Sequence, residues 1–176
     1  MSLHIIIDGY NLIRQTPELA ELDRLDLELG RDALIERLSA YKRIKPNRIT
    51  VVFDGTQALA VGPYQEKRSG ISILYSQAGE IADGVIKRMA DRERERAVVV
   101  SSDRDVAHHA ERAGCAVLRS EDFARKLTHA CWYGNGSDAS EIAEETGGWR
   151  PTTRKKGPSR KLPRKQRKNR LRIDQL

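Results

Sequence analysis

Acidic side chains follow four short apolar runs of this chain, and these acids together could form a metal site. The runs cover residues 5–7, 49–53, 71–75 and 98–100, and the acids after them are Asp8, Asp54, Glu80, Asp83 and Asp103. Carboxylates that are crowded together repel one another unless a cation or a shared proton separates them. Hard divalent cations prefer oxygen ligands. The pattern therefore predicts a site for Mg²⁺ or Mn²⁺, ions that activate water and neutralise a phosphodiester transition state.

Asp8 has the strongest claim to such a site. It ends an apolar run and precedes Gly9, whose backbone can turn sharply, and Asn11 lies three residues further on. The Asn11 amide is placed to orient a carboxylate, a water or a phosphate. The alternative is that Asp8 merely caps the helix that follows it.

Glu80 and Asp83 are spaced to share one face of a helix predicted at 80–92. Both then lie in its first turn, directly after a strand and on the same sheet edge as Asp8. The alternative is that they are ordinary N-terminal acids, which the positive end of the helix dipole favours.

Asp103 is predicted to point into the same crevice, with Ser101 as a supporting residue. Two further acids, Asp105 and Asp54, are weaker candidates. Asp105 has two interpretations, because it can join the site or cap the helix that begins there. Asp54 is either a supporting residue or part of a plain turn with Gly55.

A sheet is needed to bring these acids together. Apolar runs of this length, rich in Ile and Val and separated by helical patterns, predict buried parallel strands, and residues 115–118 predict a fifth. Helices are predicted at 32–42, 80–92 and 105–113 and from Ser120 onward, and residues 57–70 are predicted to form an exposed loop. This order predicts a three-layer α/β domain with a largely parallel sheet of about five strands. In such sheets the functional groups lie at the carboxyl ends of the strands.

The charge is divided unevenly along the chain. Residues 150–176 carry twelve Lys or Arg and one acid, a net charge of +11, whereas residues 1–149 carry 20 basic and 24 acidic residues, a net charge of −4. Three prolines and few apolar residues predict that 150–176 is a disordered tail, or helical only near its end. The basic residues predicted to hold RNA phosphates are Arg154, Lys155, Lys156, Arg160, Lys161, Arg164, Lys165, Arg167 and Lys168. The alternative is a tail that only aids solubility.

Composition also limits the class of protein. No apolar stretch approaches the roughly 20 residues of a membrane helix, and no secretory signal is recognisable at the N-terminus. The two cysteines, Cys115 and Cys131, do not suggest a disulfide framework. We expect a soluble cytoplasmic protein with a domain at 1–130, a connecting segment at 131–149 and the basic tail at 150–176.

Four motifs of this chain resemble the YacP-like branch of the NYN domains, relatives of the PIN-domain nucleases. They are Ile5-Ile6-Ile7-Asp8-Gly9-Tyr10-Asn11-Leu12-Ile13, Val51-Val52-Phe53-Asp54, Gly79-Glu80-Ile81-Ala82-Asp83 and Val100-Ser101-Ser102-Asp103. The resemblance covers roughly residues 1–130. It implies a PIN-like α/β fold and a Mg²⁺- or Mn²⁺-dependent endoribonuclease. It also implies metal-binding acids at Asp8, Asp83 and Asp103, help from Glu80, and a structural or substrate-positioning role for Asn11.

Some members of that family are similar to a ribosome-associated nuclease that cuts messenger RNA, which implies the ribosome as a partner. The basic tail departs from those members, so the RNA target is left open between messenger RNA and structured or ribosomal RNA. Two other functions also stay open. One is a non-catalytic RNA- or ribosome-binding module with the same fold, and the other is a small-molecule phosphohydrolase.

Overall fold

The structure is a computed structural model that describes residues 3–55, 65–77, 80–133 and 164–176. Its centre is a six-stranded sheet in the order β3-β4-β2-β1-β5-β6. The strands are β1 (His4–Asp8), β2 (Arg48–Phe53), β3 (Gln65–Arg68), β4 (Ile71–Tyr75), β5 (Ala97–Val100) and β6 (Ala116–Leu118). The helices are α1 (Gly9–Arg14), α2 (Pro17–Leu25), α3 (Leu27–Ile44), α4 (Ala82–Glu93), α5 (Arg104–Ala113), α6 (Ser120–Tyr133) and α7 (Arg164–Asp174).

Five of the six strands are parallel, as the sequence predicts. Strand β1 lies between β2 and β5, with Asp8 opposite Val52 and Ile7 opposite Val100. The parallel strands therefore all end at one side of the sheet, which we call the carboxyl edge, and all begin at the other side, the amino edge. The predicted loop at 57–70 is wrong for β3, which pairs antiparallel with β4. This edge strand has no apolar residue, so its backbone pairing leaves no trace in the hydrophobic pattern.

The sheet buries apolar side chains on both of its faces, which confirms the predicted three layers. Ile5 and Ile7 of β1 belong to the core beneath α1, α3 and α6, whereas Ile6 between them belongs to the core beneath α4 and α5. This alternation is the period of two that a strand imposes on its side chains. Because both faces are covered, the strands read as continuous apolar runs.

The helix boundaries differ from the prediction in two places. Helix α3 begins at Leu27 rather than residue 32, because the Asp26 side chain caps it by accepting a hydrogen bond from the Glu28 amide at 2.6 Å. Helix α4 begins at Ala82, so Glu80 stands before the helix and not in its first turn. The predicted end of the helix at residue 113 is confirmed, since Gly114 caps α5 with a φ of 98°.

Helix α7 packs at the amino edge. Arg172 donates to the carbonyl of Gly114 at 3.3 Å and pairs with Glu95 at 3.0 Å, and both partners stand shortly before strands begin. Leu176 is buried, and its carbonyl accepts a hydrogen bond from the Tyr41 hydroxyl. Within the tail at 150–176, the described end is therefore helical and packed. No helix in the described ranges is long and apolar enough to cross a bilayer.

Candidate functional site

A polar cavity of about 210 Å³ opens at the carboxyl edge. It is lined by Asp8, Tyr10, Asn11, Arg14, Asp54, Ile81, Ala82, Asp83 and Asp103. Four of the five strand-end acids are thus brought together with Asn11, as the parallel topology predicts. The sequence did not single out Arg14 or Tyr10, because neither stands at a strand end.

Asp8 is both a helix cap and the innermost acid of this cavity. The residue is 8% exposed, and its two carboxylate oxygens accept hydrogen bonds from the Asn11 amide and the Ser101 hydroxyl, each at 3.2 Å. Burial raises the pKa of Asp8 to about 6, and the charges of Asp83 and Asp103 add to that rise while the two hydrogen bonds oppose it. The two interpretations of Asp8 are therefore compatible.

Asp83 and Asp103 reach the cavity from the beginnings of two helices. Asp83 lies in the first turn of α4, and partial burial raises its pKa, with a further rise from the Asp103 charge and an opposing effect from Lys87. Asp103 caps α5, where its Oδ1 accepts from the amides of Asp105 at 2.8 Å and Val106 at 3.0 Å. Its Oδ2 has no hydrogen bond within the described residues.

Asn11 joins three strand ends. Its Oδ1 accepts from the Ser102 amide at 3.0 Å and from the Ser120 hydroxyl at 2.7 Å. The Ser102 hydroxyl in turn donates to Glu121 at 2.6 Å and accepts from the Ser120 amide at 3.0 Å. Asn11 thus fixes the segments after β5 and β6 against the start of α1. The serines at 102 and 120 are positioning residues that no spacing rule in the sequence reveals.

The three remaining acidic candidates differ in their position relative to the cavity. Glu80 does not line the cavity and pairs with Arg88. Asp105 pairs with Lys87 outside the cavity, although its charge contributes to the raised pKa of Asp83. Asp54 does line the cavity, and its Oδ1 accepts from the Ser76 hydroxyl at 3.4 Å.

The comparisons with known proteins decide the family. The model of the YacP-like NYN domain matches residues 5–166 of this chain. The chain belongs to this family. The match extends past residue 130, where the resemblance of the motifs ends.

One curated relative and two crystal structures give the extent of the similarity. The uncharacterized protein YacP of Bacillus subtilis (strain 168) is 32% identical over 88 residues, which is 49% of this chain and 50% of the relative, so the alignment spans half of the relative's length. The crystal structure of Rae1 (YacP) from Bacillus subtilis has a TM-score of 0.63 and 25% identity, covering 75% of this chain and 76% of that chain. A mutant of the same protein gives a TM-score of 0.62 and 24% identity, covering 75% and 78%. These likenesses confirm the PIN-like fold.

The acids of this YacP-like NYN domain suit a hard divalent cation in their donor chemistry. Asp8, Asp83 and Asp103 offer carboxylate oxygens, and burial followed by the charges of neighbouring acids raises the pKa values of Asp8 and Asp83. Across the described residues, no three His, Cys, Asp or Glu side chains stand in the arrangement of a ligand set. Mg²⁺ often uses only one or two carboxylates and keeps several waters, so a compact set of three is not required.

Most of the predicted RNA-binding residues of the tail lie outside the described residues, namely Arg154, Lys155, Lys156, Arg160 and Lys161. Arg164 and Lys165 begin α7, and Arg167 is exposed on it. Lys168 pairs with Glu95 at 3.8 Å, so part of its charge is used within the protein.

Proposed function

We propose that this protein is a metal-dependent endoribonuclease that hydrolyses phosphodiester bonds of RNA. The observation that carries the proposal is the cavity at the carboxyl edge, which Asp8, Asp83 and Asp103 line together. Burial, and then the charges of neighbouring acids, raise the pKa values of Asp8 and Asp83 there. An uncompensated cluster of carboxylates is an expected feature of a cation site and a costly one elsewhere. The NYN domains are a PIN-like nuclease family, and membership supports the same activity.

Each side chain then has a stated role. Asp8, Asp83 and Asp103 would hold Mg²⁺ or Mn²⁺, which supplies charge neutralisation at the phosphate and activation of water. Asn11 and Ser101 are positioning residues, because Ser101 fixes the Asp8 carboxylate and Asn11 fixes the segment that carries Asp103. Asp54 supports the site from the end of β2. Glu80 has no place in this scheme, because Arg88 binds it. The expected products are a 5′-phosphate and a 3′-hydroxyl.

We expect a cytoplasmic protein with RNA as its substrate and the ribosome as a partner, with the basic residues of 150–176 adding affinity for RNA. Deletion of these residues would remove +11 of charge and also Leu176, which is buried against the body. The tail is therefore better tested by charge-reversing or neutralising its outward residues than by truncation.

A non-catalytic RNA-binding module is the second candidate. It is favoured by the caps, since Asp8 and Asp103 both accept hydrogen bonds from backbone amides at helix starts and have a structural use without metal. Binding of RNA does not separate the two candidates, because both predict it and both predict that salt weakens it. Metal-dependent cleavage does.

The deciding experiment incubates the full chain with labelled total RNA and with intact ribosomes, in Mn²⁺, Mg²⁺ or EDTA. We expect cuts in Mn²⁺ or Mg²⁺ only, with a loss of at least about a hundredfold in Asp8→Asn and Asp83→Asn, since even outer residues of metal sites often matter that much. Asp26→Asn is the matched control, because Asp26 caps α3 and does not line the cavity. Asn caps helices about as well as Asp, so these variants should fold.

The outcomes are distinct. Cuts that survive in Asp83→Asn remove that residue from the site. No cuts under any condition, together with tight RNA binding in EDTA, would replace the nuclease with the binding module.

A further inference from the structure

Two arginines stand beside the acidic cavity at the carboxyl edge. Arg14 ends α1 and lines the cavity itself, with its side chain exposed. Arg31 lies in the early part of α3 and donates a hydrogen bond to the Tyr10 hydroxyl at 3.5 Å. Arg14 therefore stands within the reach of a ligand that enters the cavity, whereas Arg31 lines a neighbouring pocket and contacts the cavity through Tyr10.

Aromatic rings support both guanidinium groups. The Arg14 guanidinium carbon lies 5.9 Å from the centre of the Tyr10 ring, and that of Arg31 lies 5.9 Å from the centre of the Tyr75 ring. Phe53 ties the two rings together, edge-on to Tyr10 at 5.1 Å and stacked on Tyr75 at 5.9 Å. We call Arg14, Tyr10, Arg31 and Tyr75 the arginine strip. Its cations are held in place before a ligand arrives, which lowers the entropy lost on binding.

The positive charge of the strip is available to a ligand. Neither arginine forms an ion pair with a carboxylate in the described part of the chain, whereas Arg37 pairs with Glu18 and Arg68 pairs with Asp32. Burial raises the pKa of Asp23, the charges of Arg14 and Arg31 only partly oppose that rise, and Asp23 forms an ion pair with neither of them. A guanidinium group without a carboxylate partner, beside a cavity, is suited to bind phosphate.

The described end of the basic tail lies too far away to take over this task. Helix α7 packs at the amino edge, and a five-residue strand is about 16 Å long. The cavity itself carries four acids that repel a polyanion. Phosphates next to the cavity therefore need local cations, and the strip provides them.

We propose that the arginine strip binds the phosphates of a single strand of RNA on one side of the bond that lies in the acidic cavity. The inference rests on the proposed function for the identity of the polymer. A single strand is favoured because its backbone can bend into a recessed site while its bases turn outward. Cationic groups that follow the backbone are also typical of single-strand channels.

The test measures binding without cleavage. A labelled, unstructured RNA oligonucleotide of eight nucleotides is titrated with the full chain in EDTA, by fluorescence anisotropy, at several salt concentrations. In Arg14→Gln we expect the Kd to rise about tenfold, the loss of one charged hydrogen bond, and the slope of log Kd against log salt to fall by about 0.7. Arg31→Gln should behave similarly. Arg43→Gln is the matched control, because Arg43 is exposed on the same helix towards the amino edge.

A merely structural role would change the melting temperature and leave the salt slope unchanged, so both are recorded. Parental affinity and slope in Arg14→Gln and Arg31→Gln overturn the proposal, and so does an equal loss on a matching RNA duplex. Cleavage in Mn²⁺ is measured in parallel. If the parent protein does not cut but Arg14→Gln binds more weakly, the strip stands and the nuclease fails. If the parent cuts and both variants bind and cut as it does, the nuclease stands and the strip fails.

Discussion

At the amino edge of the sheet the acids have cationic partners, whereas at the carboxyl edge the acids face one another. Glu93 pairs there with Arg48 and Arg96, both at 3.5 Å, and Glu95 pairs with Lys168 and Arg172. In the cavity, burial raises the pKa of Asp8, and the charges of its neighbours Asp83 and Asp103 add to that rise. The sheet, its core and its helices are shared by both edges, so the difference lies in how the loops and helix ends place charge.

This difference separates stability from function. Paired charges at an exposed edge contribute little and cost little, up to about 1 kcal/mol for each pair. Like charges in a buried site cost more, and they persist when a ligand of opposite charge repays that cost. The carboxyl edge is accordingly held by hydrogen bonds: Asn11 accepts one from the Ser102 amide, and the Ser101 hydroxyl donates one to Asp8. The negative charge of its acids can then be neutralised by a bound cation.

The largest expected effect is on the metal-free stability of Asp8→Asn. The folded pKa of Asp8 is about 6, above its usual value of 3.8, so the folded state binds the proton more tightly than the unfolded state. The resulting loss of stability begins as pH rises above about 4 and is complete above about 7. It amounts to about 2–3 kcal/mol at 1.36 kcal/mol per pKa unit. In EDTA at pH 7.5, Asp8→Asn should gain about that free energy of unfolding, measured in urea.

At pH 4 or below the same variant should have nearly the parental stability. Asp26→Asn, which alters an exposed cap outside the cavity, is the control and should not gain stability at pH 7.5. If Asp8→Asn were instead destabilised at pH 7.5, the negative charge of Asp8 would be stabilised at the carboxyl edge, and the proposed difference between the two edges would be wrong.

A smaller effect is expected for Asn11→Ala. Loss of the Asn11 amide leaves the Ser102 amide and the Ser120 hydroxyl without their acceptor, which should cost about 2 kcal/mol. Thermal unfolding measures it, and the difference should not change between 0.05 and 0.5 M salt, because no ion pair is lost. Asn47→Ala, near the amino edge, is the control and should be close to neutral. A loss that salt abolishes would show that charge, and not hydrogen bonding, holds this edge.

The sequence predicted the part of the site that depends on topology. Parallel strands end at one edge, so the positions of Asp8, Asp54 and Asp103 follow from three apolar runs, and the cavity contains all three. The prediction placed Glu80 by helical spacing, but the helix begins two residues later and the carboxylate pairs with Arg88 outside the cavity. An ion pair of this kind depends on rotamers that spacing does not reveal.

The other features that the sequence did not predict share one physical cause. Their contacts leave no pattern of apolar residues in the sequence. Strand β3 pairs through its backbone and carries only polar side chains, so a loop was the natural prediction. The arginine strip depends on Tyr10 and Tyr75 meeting across Phe53, and these residues come from three separate elements. In the tail, the many Lys and Arg residues predicted disorder, although a few residues pack α7 against the body of the protein. One of these residues, Leu176, is buried.

The smallest effect is expected at the amino edge, in Glu95→Gln. Glu95 holds Arg172 at 3.0 Å and Lys168 at 3.8 Å, but its side chain is 66% exposed, so the pairs should contribute less than about 1 kcal/mol. We expect hydrogen exchange in α7 to quicken by less than about fivefold at low salt and not at all in 0.5 M salt. Global stability and metal-dependent cleavage should stay parental, as in the control Glu21→Gln. If Glu95→Gln instead unfolded the protein or abolished cleavage, the two edges would be coupled, and helix α7 would have to be counted as part of the site.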